Sequence, residues 1–247
     1  MSELVLDNVG KLFQRADQDG LTHAIADVSF KAKEGEFISI VGPSGCGKST
    51  MLRLIAGLIK PSFGSLSLDE ENIEGPSVNR GMVFQKANLF PWLSVKENVS
   101  FASDLKKNTD SKQVESLIKK VGLEDFKNLY PNALSGGMAQ RVSLIRTLII
   151  KPEIMLLDEP LGALDAFTRM NMQDLILDLW QEEKKLTIMV THDVDEAIYM
   201  STKVIIMQAN PGRINDIVDI NLPYPRQRTS EQFTKYRNVI LEKLNID

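Results

Sequence analysis

Apolar positions along this chain switch repeatedly between strand and helix periods, and each change marks a boundary in the expected architecture. Short runs near Leu4 to Val9, Ile25 to Lys31 and Glu36 to Val41 predict three strands, with the polar stretch Arg15 to Gly20 as a loop between the first two. The third run closes on Phe37-Ile38-Ser39-Ile40-Val41, nearly continuous in apolar character, as a strand buried on both faces requires. Met51-Leu52-Arg53-Leu54-Ile55-Ala56 then predicts a helix. Pro61-Ser62-Phe63-Gly64 reads as a turn, Ser65 to Leu68 as an alternating strand and Gly81 to Phe84 as another. The middle of the chain is helical. Ser94-Val95-Lys96-Glu97 is a capping box that starts a helix at Val95, and helical patterns follow over Lys112 to Val121 and Gly136 to Ile150. From Glu153 the order becomes strand (Ile154 to Leu157), helix (Arg169 to Lys184), strand (Leu186 to Val190) and helix (Val194 to Met200), which predicts a parallel sheet. A final helix, with Thr229 to Gln232 as its capping box, places Phe233, Tyr236, Ile240 and Leu244 on one face.

The expected fold class is therefore α/β, in one domain: a core with a β-rich entry over 1–90 and 151–222, an all-helical insert over 91–150 and a helical tail over 223–247. A chain of 247 residues is long enough to bury such a core.

Between the third strand and the first helix lies Gly42-Pro43-Ser44-Gly45-Cys46-Gly47-Lys48-Ser49-Thr50, which matches the phosphate-loop pattern G-x-x-x-x-G-K-[ST]. Strand, glycine loop, helix is the context in which that pattern has mechanical meaning. Glycines let the backbone curl so that N–H groups point at phosphate oxygens, and the helix N-terminus adds its positive dipole end. Lys48 is then expected to reach the β- and γ-phosphates and the Ser49 hydroxyl to ligate Mg²⁺, so the expected ligands are a nucleoside triphosphate and Mg²⁺. The same logic extends to Ile154-Met155-Leu156-Leu157-Asp158-Glu159, a buried-strand pattern ending in two carboxylates. Asp158 is the expected Mg²⁺ holder, and Glu159, one residue on, is placed to polarise an attacking water.

Composition narrows the partners. A net charge of −4 leaves no global basic footprint, so nucleic acid is not expected as the main partner. Cys46 is the one cysteine, which excludes an internal disulfide and a cysteine metal site; it reads as a small residue tolerated in the loop and suits a reducing compartment. The N-terminal residues do not read as a signal peptide, and no stretch approaches the apolar length of a membrane span, so any membrane role is expected to come through a partner.

Leu134-Ser135-Gly136-Gly137-Met138-Ala139-Gln140-Arg141 resembles the LSGGQ signature of the ATP-binding cassette family, a motif that this family pairs with the phosphate loop. Met138 and Ala139 depart from the signature's core, while the Ser-Gly-Gly backbone is kept. Further family elements fall in the family's order. Gln85 resembles the Q-loop residue that senses Mg²⁺, Gly162-Ala163-Leu164-Asp165 the D-loop, and His192 the switch histidine that bonds the γ-phosphate and helps orient Glu159. Phe13 is the candidate aromatic for stacking on adenine, with a core role as the alternative.

The resemblance implies a RecA-like P-loop core with an antiparallel β subdomain and an α-helical insert, with ATP as the nucleotide cofactor. It also implies a head-to-tail ATP-dependent homodimer, in which Ser135, Gly136 and Gly137 of one copy close on ATP held by the other, with Asp165 communicating between them. The segment Phe84 to Val95, containing Pro91-Trp92, together with Pro211-Gly212-Arg213-Ile214 and Pro223-Tyr224-Pro225-Arg226, is similar to nitrate, sulfonate and taurine importer ATPases. That narrower likeness implies an ATPase on the cytoplasmic face of the cell membrane, attached through a permease subunit and served indirectly by a solute-binding protein. A cassette ATPase that moves no solute, such as an iron–sulfur assembly factor, and an exporter subunit are the competing readings.

Overall fold

The structure is a computed structural model that describes residues 2–14, 20–105 and 110–245. Most of the loop expected at Arg15 to Gly20 lies outside those residues. The entry is antiparallel. Strands β1 (Glu3–Gln14) and β2 (Leu21–Lys33) pair along most of their length, and β4 (Phe63–Leu68) and the two-residue β5 (Glu71–Asn72) extend the sheet in the order β2-β1-β4-β5. Both entry strands run longer than the apolar runs that predict them, because cross-strand pairing carries the ladder into polar positions such as Thr22 and His23.

The second sheet has six strands in the order β10-β9-β3-β8-β7-β6. Its members β3 (Phe37–Val41), β6 (Arg80–Val83), β7 (Ile154–Asp158), β8 (Leu186–Val190) and β9 (Lys203–Gln208) are parallel, and β10 (Arg213–Asp219) closes one edge antiparallel to β9. All five residues of β3, of β7 and of β8 are buried, as a parallel sheet covered on both faces demands. The order places β3 and β7 on either side of β8, so the segments that leave their C-terminal ends emerge at one edge of the molecule. Strands β9 and β10 are additions to the elements read from sequence. A parallel bridge between Ile25 and Gly212 ties the β-rich entry to the turn before β10.

Helix α1 (Lys48–Ile55) begins three residues earlier than its apolar pattern suggests, so Lys48, Ser49 and Thr50 form its first turn. Between β6 and β7 run α2 (Val95–Leu105), α3 (Ser111–Lys120) and α4 (Gly136–Leu148), which build their own apolar cluster around Val95, Val99, Ile118, Val142 and Ile145. The capping box of α2 is formed in both directions: Glu97 Oε2 accepts from the Ser94 N–H at 2.7 Å, and Ser94 Oγ accepts from the Glu97 N–H at 3.3 Å. Helix α5 (Ala166–Glu183) starts before Arg169 because Asp165 caps it, accepting from the Thr168 N–H at 3.0 Å. After α6 (Val194–Met200) and the two edge strands comes α7 (Glu231–Lys243). Its cap is Ser230, accepting from the Phe233 N–H at 3.2 Å, and not the expected Thr229. The predicted face holds: Phe233 and Ile240 are fully buried, and Tyr236 and Leu244 pack beside them against β9 and α6.

Candidate nucleotide site

The loop between β3 and α1 owes its shape to glycines in the left-handed region. Gly45 has φ +79° and Gly47 φ +94°, and a Cβ on Gly47 would stand 2.8 Å from the Ala24 carbonyl oxygen. Gly47 occupies the N-cap of α1 with no side-chain cap, so the first N–H groups of the helix are left to a ligand. The resulting cleft, about 250 Å³, is lined by loop residues 44–45 and 47–50 with Ala24 and Glu159. Lys48 is buried, and its Nζ donates to the carbonyls of Gly42 at 2.8 Å and Pro43 at 3.1 Å and, weakly, to Cys46 Sγ at 4.0 Å. Cys46 faces inward. Its Sγ would lie 2.7 Å from a Cβ on Gly42, its N–H turns back to the Pro43 carbonyl at 3.3 Å, and burial pushes its thiol pKa up. It is a packing residue under the loop.

Ser49 Oγ donates to Asp158 Oδ1 at 2.8 Å, joining the first turn of α1 to the end of β7 across 109 positions. These are hard oxygen donors, and they suit Mg²⁺, which is held by one or two carboxylates plus substrate phosphates rather than by an all-protein cage. Among the described residues no group of three or more His, Cys, Asp and Glu gathers into such a cage. The donor set fits the cofactor expected from the sequence.

Glu159 leaves β7 with φ +44°, a left-handed conformation that costs a non-glycine residue about 1 kcal/mol or more. Its N–H donates to the Val190 carbonyl at 3.1 Å, which pins the bend against the end of β8. The bend aims the carboxylate at two residues brought from elsewhere. Gln85 Nε2 donates to Glu159 Oε2 at 3.4 Å, and His192 Nδ1 lies 3.5 Å from the same oxygen. His192 follows Thr191, whose N–H donates to the Ile40 carbonyl at 3.2 Å, so the turn after β8 is stitched to β3. Gln85 therefore appears on Glu159, whereas the Ser49–Asp158 pair is closed on itself.

The remaining candidates lie apart from this group. Phe13 pairs with Thr22, two positions before Ala24, and is half-exposed beneath the Lys11 ammonium at 5.3 Å; it does not line the cleft. Ser135 caps α4, accepting from the Met138 N–H at 3.2 Å, and Gly136 is exposed with nothing within 4 Å of a Cβ built there. Gly137 is packed so closely that an added Cβ would meet Thr168 Cγ2 at 2.5 Å. Asp165 is exposed and engaged as the cap of α5; its bond to Thr168 holds its pKa below the usual carboxylate value. Sequence reading did not single out Ala24, whose carbonyl limits Gly47, or Gln140, whose buried amide donates to the Phe84 carbonyl at 3.0 Å immediately before Gln85. Arg146, further along α4, holds the Ala87 and Asn88 carbonyls at 3.1 and 3.0 Å. Neither carries a local pattern that distinguishes it from other polar helix residues.

A sequence model of the family described as ABC transporter matches residues 25–162. The chain is 43% identical over 238 residues to the aliphatic sulfonates import ATP-binding protein of Bacillus cereus, covering 96% of this chain and 94% of that protein. It is 46% identical over 245 residues to an uncharacterized ABC transporter ATP-binding protein of Methanocaldococcus jannaschii, covering 98% and 91%. Among solved structures it is similar to a dimeric ATP-binding cassette in a post-hydrolysis state bound to ADP and Pi, with a TM-score of 0.78 and 33% identity over 89% of this chain and 100% of that one.

Proposed function

The chain belongs to the ABC transporter family, and on that premise we propose that it is the ATP-hydrolysing subunit of an importer for a small sulfonate-, nitrate- or taurine-like solute. One observation carries the reading. Glu159 Oε2 lies within 3.5 Å of both Gln85 and His192, one residue beyond the Asp158 that bonds Ser49. A carboxylate so placed accepts a proton from a water attacking the terminal phosphate of ATP, while His192 holds that carboxylate and faces the same phosphate. The loop N–H groups and Lys48 hold the phosphates and offset their charge, so that little reorganisation is left for the transition state. Ser49 and Asp158 would hold Mg²⁺, with Gln85 as the further candidate ligand, and the ion would supply charge neutralisation on the phosphates.

Ser135 and Gly137 would complete the site from a second copy in a head-to-tail homodimer. Solute passage belongs to a permease subunit on which this chain sits at the cytoplasmic face. Trp92 is 69% exposed beside Phe90, with ring centroids 5.6 Å apart, and it is the proposed contact for that subunit. None of the described helices is long and apolar enough to cross a membrane, so the attachment is peripheral in this reading. The name of the Bacillus cereus relative, similar over nearly its whole length, supports import of a sulfonate over a role without transport.

The test is Glu159→Gln. It is expected to bind MgATP at wild-type affinity, to hydrolyse it about a hundredfold more slowly or worse, and to accumulate as a dimer in size-exclusion chromatography. Near-normal turnover would remove Glu159 from this role, and purification from the host membrane without a polytopic partner would remove the importer reading.

A further inference from the structure

The turn that carries His192 is not held by His192 itself, whose side chain is 67% exposed. It is held by its neighbours. Thr191, 2% exposed, accepts at Oγ1 from the Asp193 N–H at 3.0 Å, Asp193 Oδ1 accepts from the Glu196 N–H at 3.0 Å, and the Thr191 hydroxyl works against the upward pKa shift of the Glu196 carboxyl, so Glu196 adjoins both residues that flank the histidine. Glu196 is a carboxyl 4% exposed, on the second residue pair of α6 and beside the small pocket that Glu159 and His192 also line. Burial pushes its pKa up. Its other donor is Gln173 Nε2 of α5 at 3.1 Å, itself only 3% exposed. Gln173 Oε1 in turn accepts from Arg228 Nη2 at 2.6 Å, and the Arg228 guanidinium stacks 3.6 Å above the Tyr199 ring.

Arg228 belongs to the C-terminal segment, and that segment grips α6 at two further points. Arg226, buried, donates through Nη1 to the Ile198 and Ser201 carbonyls at 2.5 Å, closing the C-terminal end of the helix. Arg237 of α7 makes a two-pronged pair with Asp195 in its first turn, both bonds at 2.5 Å. The C-terminal segment therefore holds both ends of the helix that follows His192, and through Arg228 it reaches the interior.

We propose that the C-terminal segment is a positioning element for the hydrolytic turn, acting through the buried chain Arg228–Gln173–Glu196–Thr191 to keep His192 at Glu159. A satisfied buried polar chain rigidifies what it joins, and removing one end leaves the next member to seek another partner. Without Arg228 the Gln173 oxygen loses its charged donor, the amide is free to turn away from Glu196, and the turn keeps its backbone bond to Ile40 but loses the fixed carboxyl beside it. None of the three outer members lines the phosphate cleft, so they act through His192 and not on the nucleotide.

The roles of Glu159 and His192 rest on the ATPase reading above; the test separates the two. The chain has two histidines, His23 on β2 and His192, so the protein shows two Hε1 signals, one from each imidazole ring, in its NMR spectrum. In Arg228→Ala the His192 signal is expected to shift and broaden while that of His23 stays in place. Turnover is expected to fall about tenfold, as misplacement of a catalytic group does, with KM for ATP within about twofold. Arg228→Lys, which still offers Gln173 a donor, is expected to return both readouts toward wild type. Gln173→Leu, which cuts the chain in its middle and leaves Arg226 and Arg237 in place, is expected to match Arg228→Ala. An unmoved His192 signal with unchanged turnover would overturn the proposal, and so would equal collapse of both histidine signals without recovery in Arg228→Lys. If wild type hydrolyses no ATP while the His192 signal still answers to Arg228, the ATPase reading fails and the positioning chain stands.

Discussion

The chain opens two helices on glycines, and the two openings behave in opposite ways. At α1 the glycine is strained and closed in: Gly47 takes φ +94°, its position is limited by the Ala24 carbonyl, and no side chain caps the helix. At α4 the opening is an ordinary capped terminus, with Ser135 bonded to the Met138 N–H and Gly136 facing open space. The first is a pocket already complete on one side within a single chain. The second has one N–H capped by Ser135, while the Ser135 O–H and the N–H groups of Gly136 and Gly137 remain for another molecule. A glycine motif is thus a pocket within its own chain when the fold closes around it, and a surface available to another copy when it stands open.

The strongest way to break this comparison is complementation. Lys48→Ala is expected to abolish ATP hydrolysis, and so is Ser135→Arg, which fills the α4 opening. Mixed with each other, the two inactive proteins are expected to regain activity, because one of the two sites in a mixed head-to-tail dimer keeps an intact Lys48 and an intact Ser135. Absence of recovery in the mixture would mean that the α4 opening serves no site on another copy.

Smaller effects sharpen the contrast within one chain. Gly47→Ala is expected to destabilise the protein by roughly 1–3 kcal/mol, since alanine resists φ near +94° and its Cβ meets a carbonyl at 2.8 Å. Gly136→Ala, with open space around it and helical backbone, is expected to leave thermal stability unchanged or raise it by up to about 1 kcal/mol. Paired calorimetric melts decide the matter, and equal losses at both positions would remove the distinction. Of similar size, Ser135→Ala is expected to cost about 1 kcal/mol of stability through the lost cap alone. A larger loss would show that Ser135 carries more than its bond to Met138.

Legibility in the sequence followed the same division. The phosphate loop, the buried strands ending at Val41, Asp158 and Val190, the Ser94–Glu97 box and the amphipathic face of α7 are local patterns, and each stands in the fold where its residues predict it. The edge strand β10 was not legible, because Arg213-Ile214-Asn215-Asp216-Ile217-Val218-Asp219 mixes polar and apolar residues on a half-exposed edge and is a strand by virtue of pairing with β9. The Thr229-Ser230 pair offers two hydroxyls one residue apart, and local rules do not choose between them; burial of Phe233 and Ile240 sets the helix start that makes Ser230 the cap.

By itself, then, the sequence determined where the backbone curls into a glycine loop and which strands are buried, because glycine freedom, strand period and capping act over a few residues. Only the tertiary structure decided that Glu159 meets Gln85 across 74 positions, that Phe13 lies beneath the Lys11 ammonium opposite Thr22, and that Arg228 reaches Glu196 through Gln173. Those outcomes depend on sheet order and on how a few buried polar groups divide the available partners among themselves, and a partner chosen by elimination in the interior leaves no pattern along the chain.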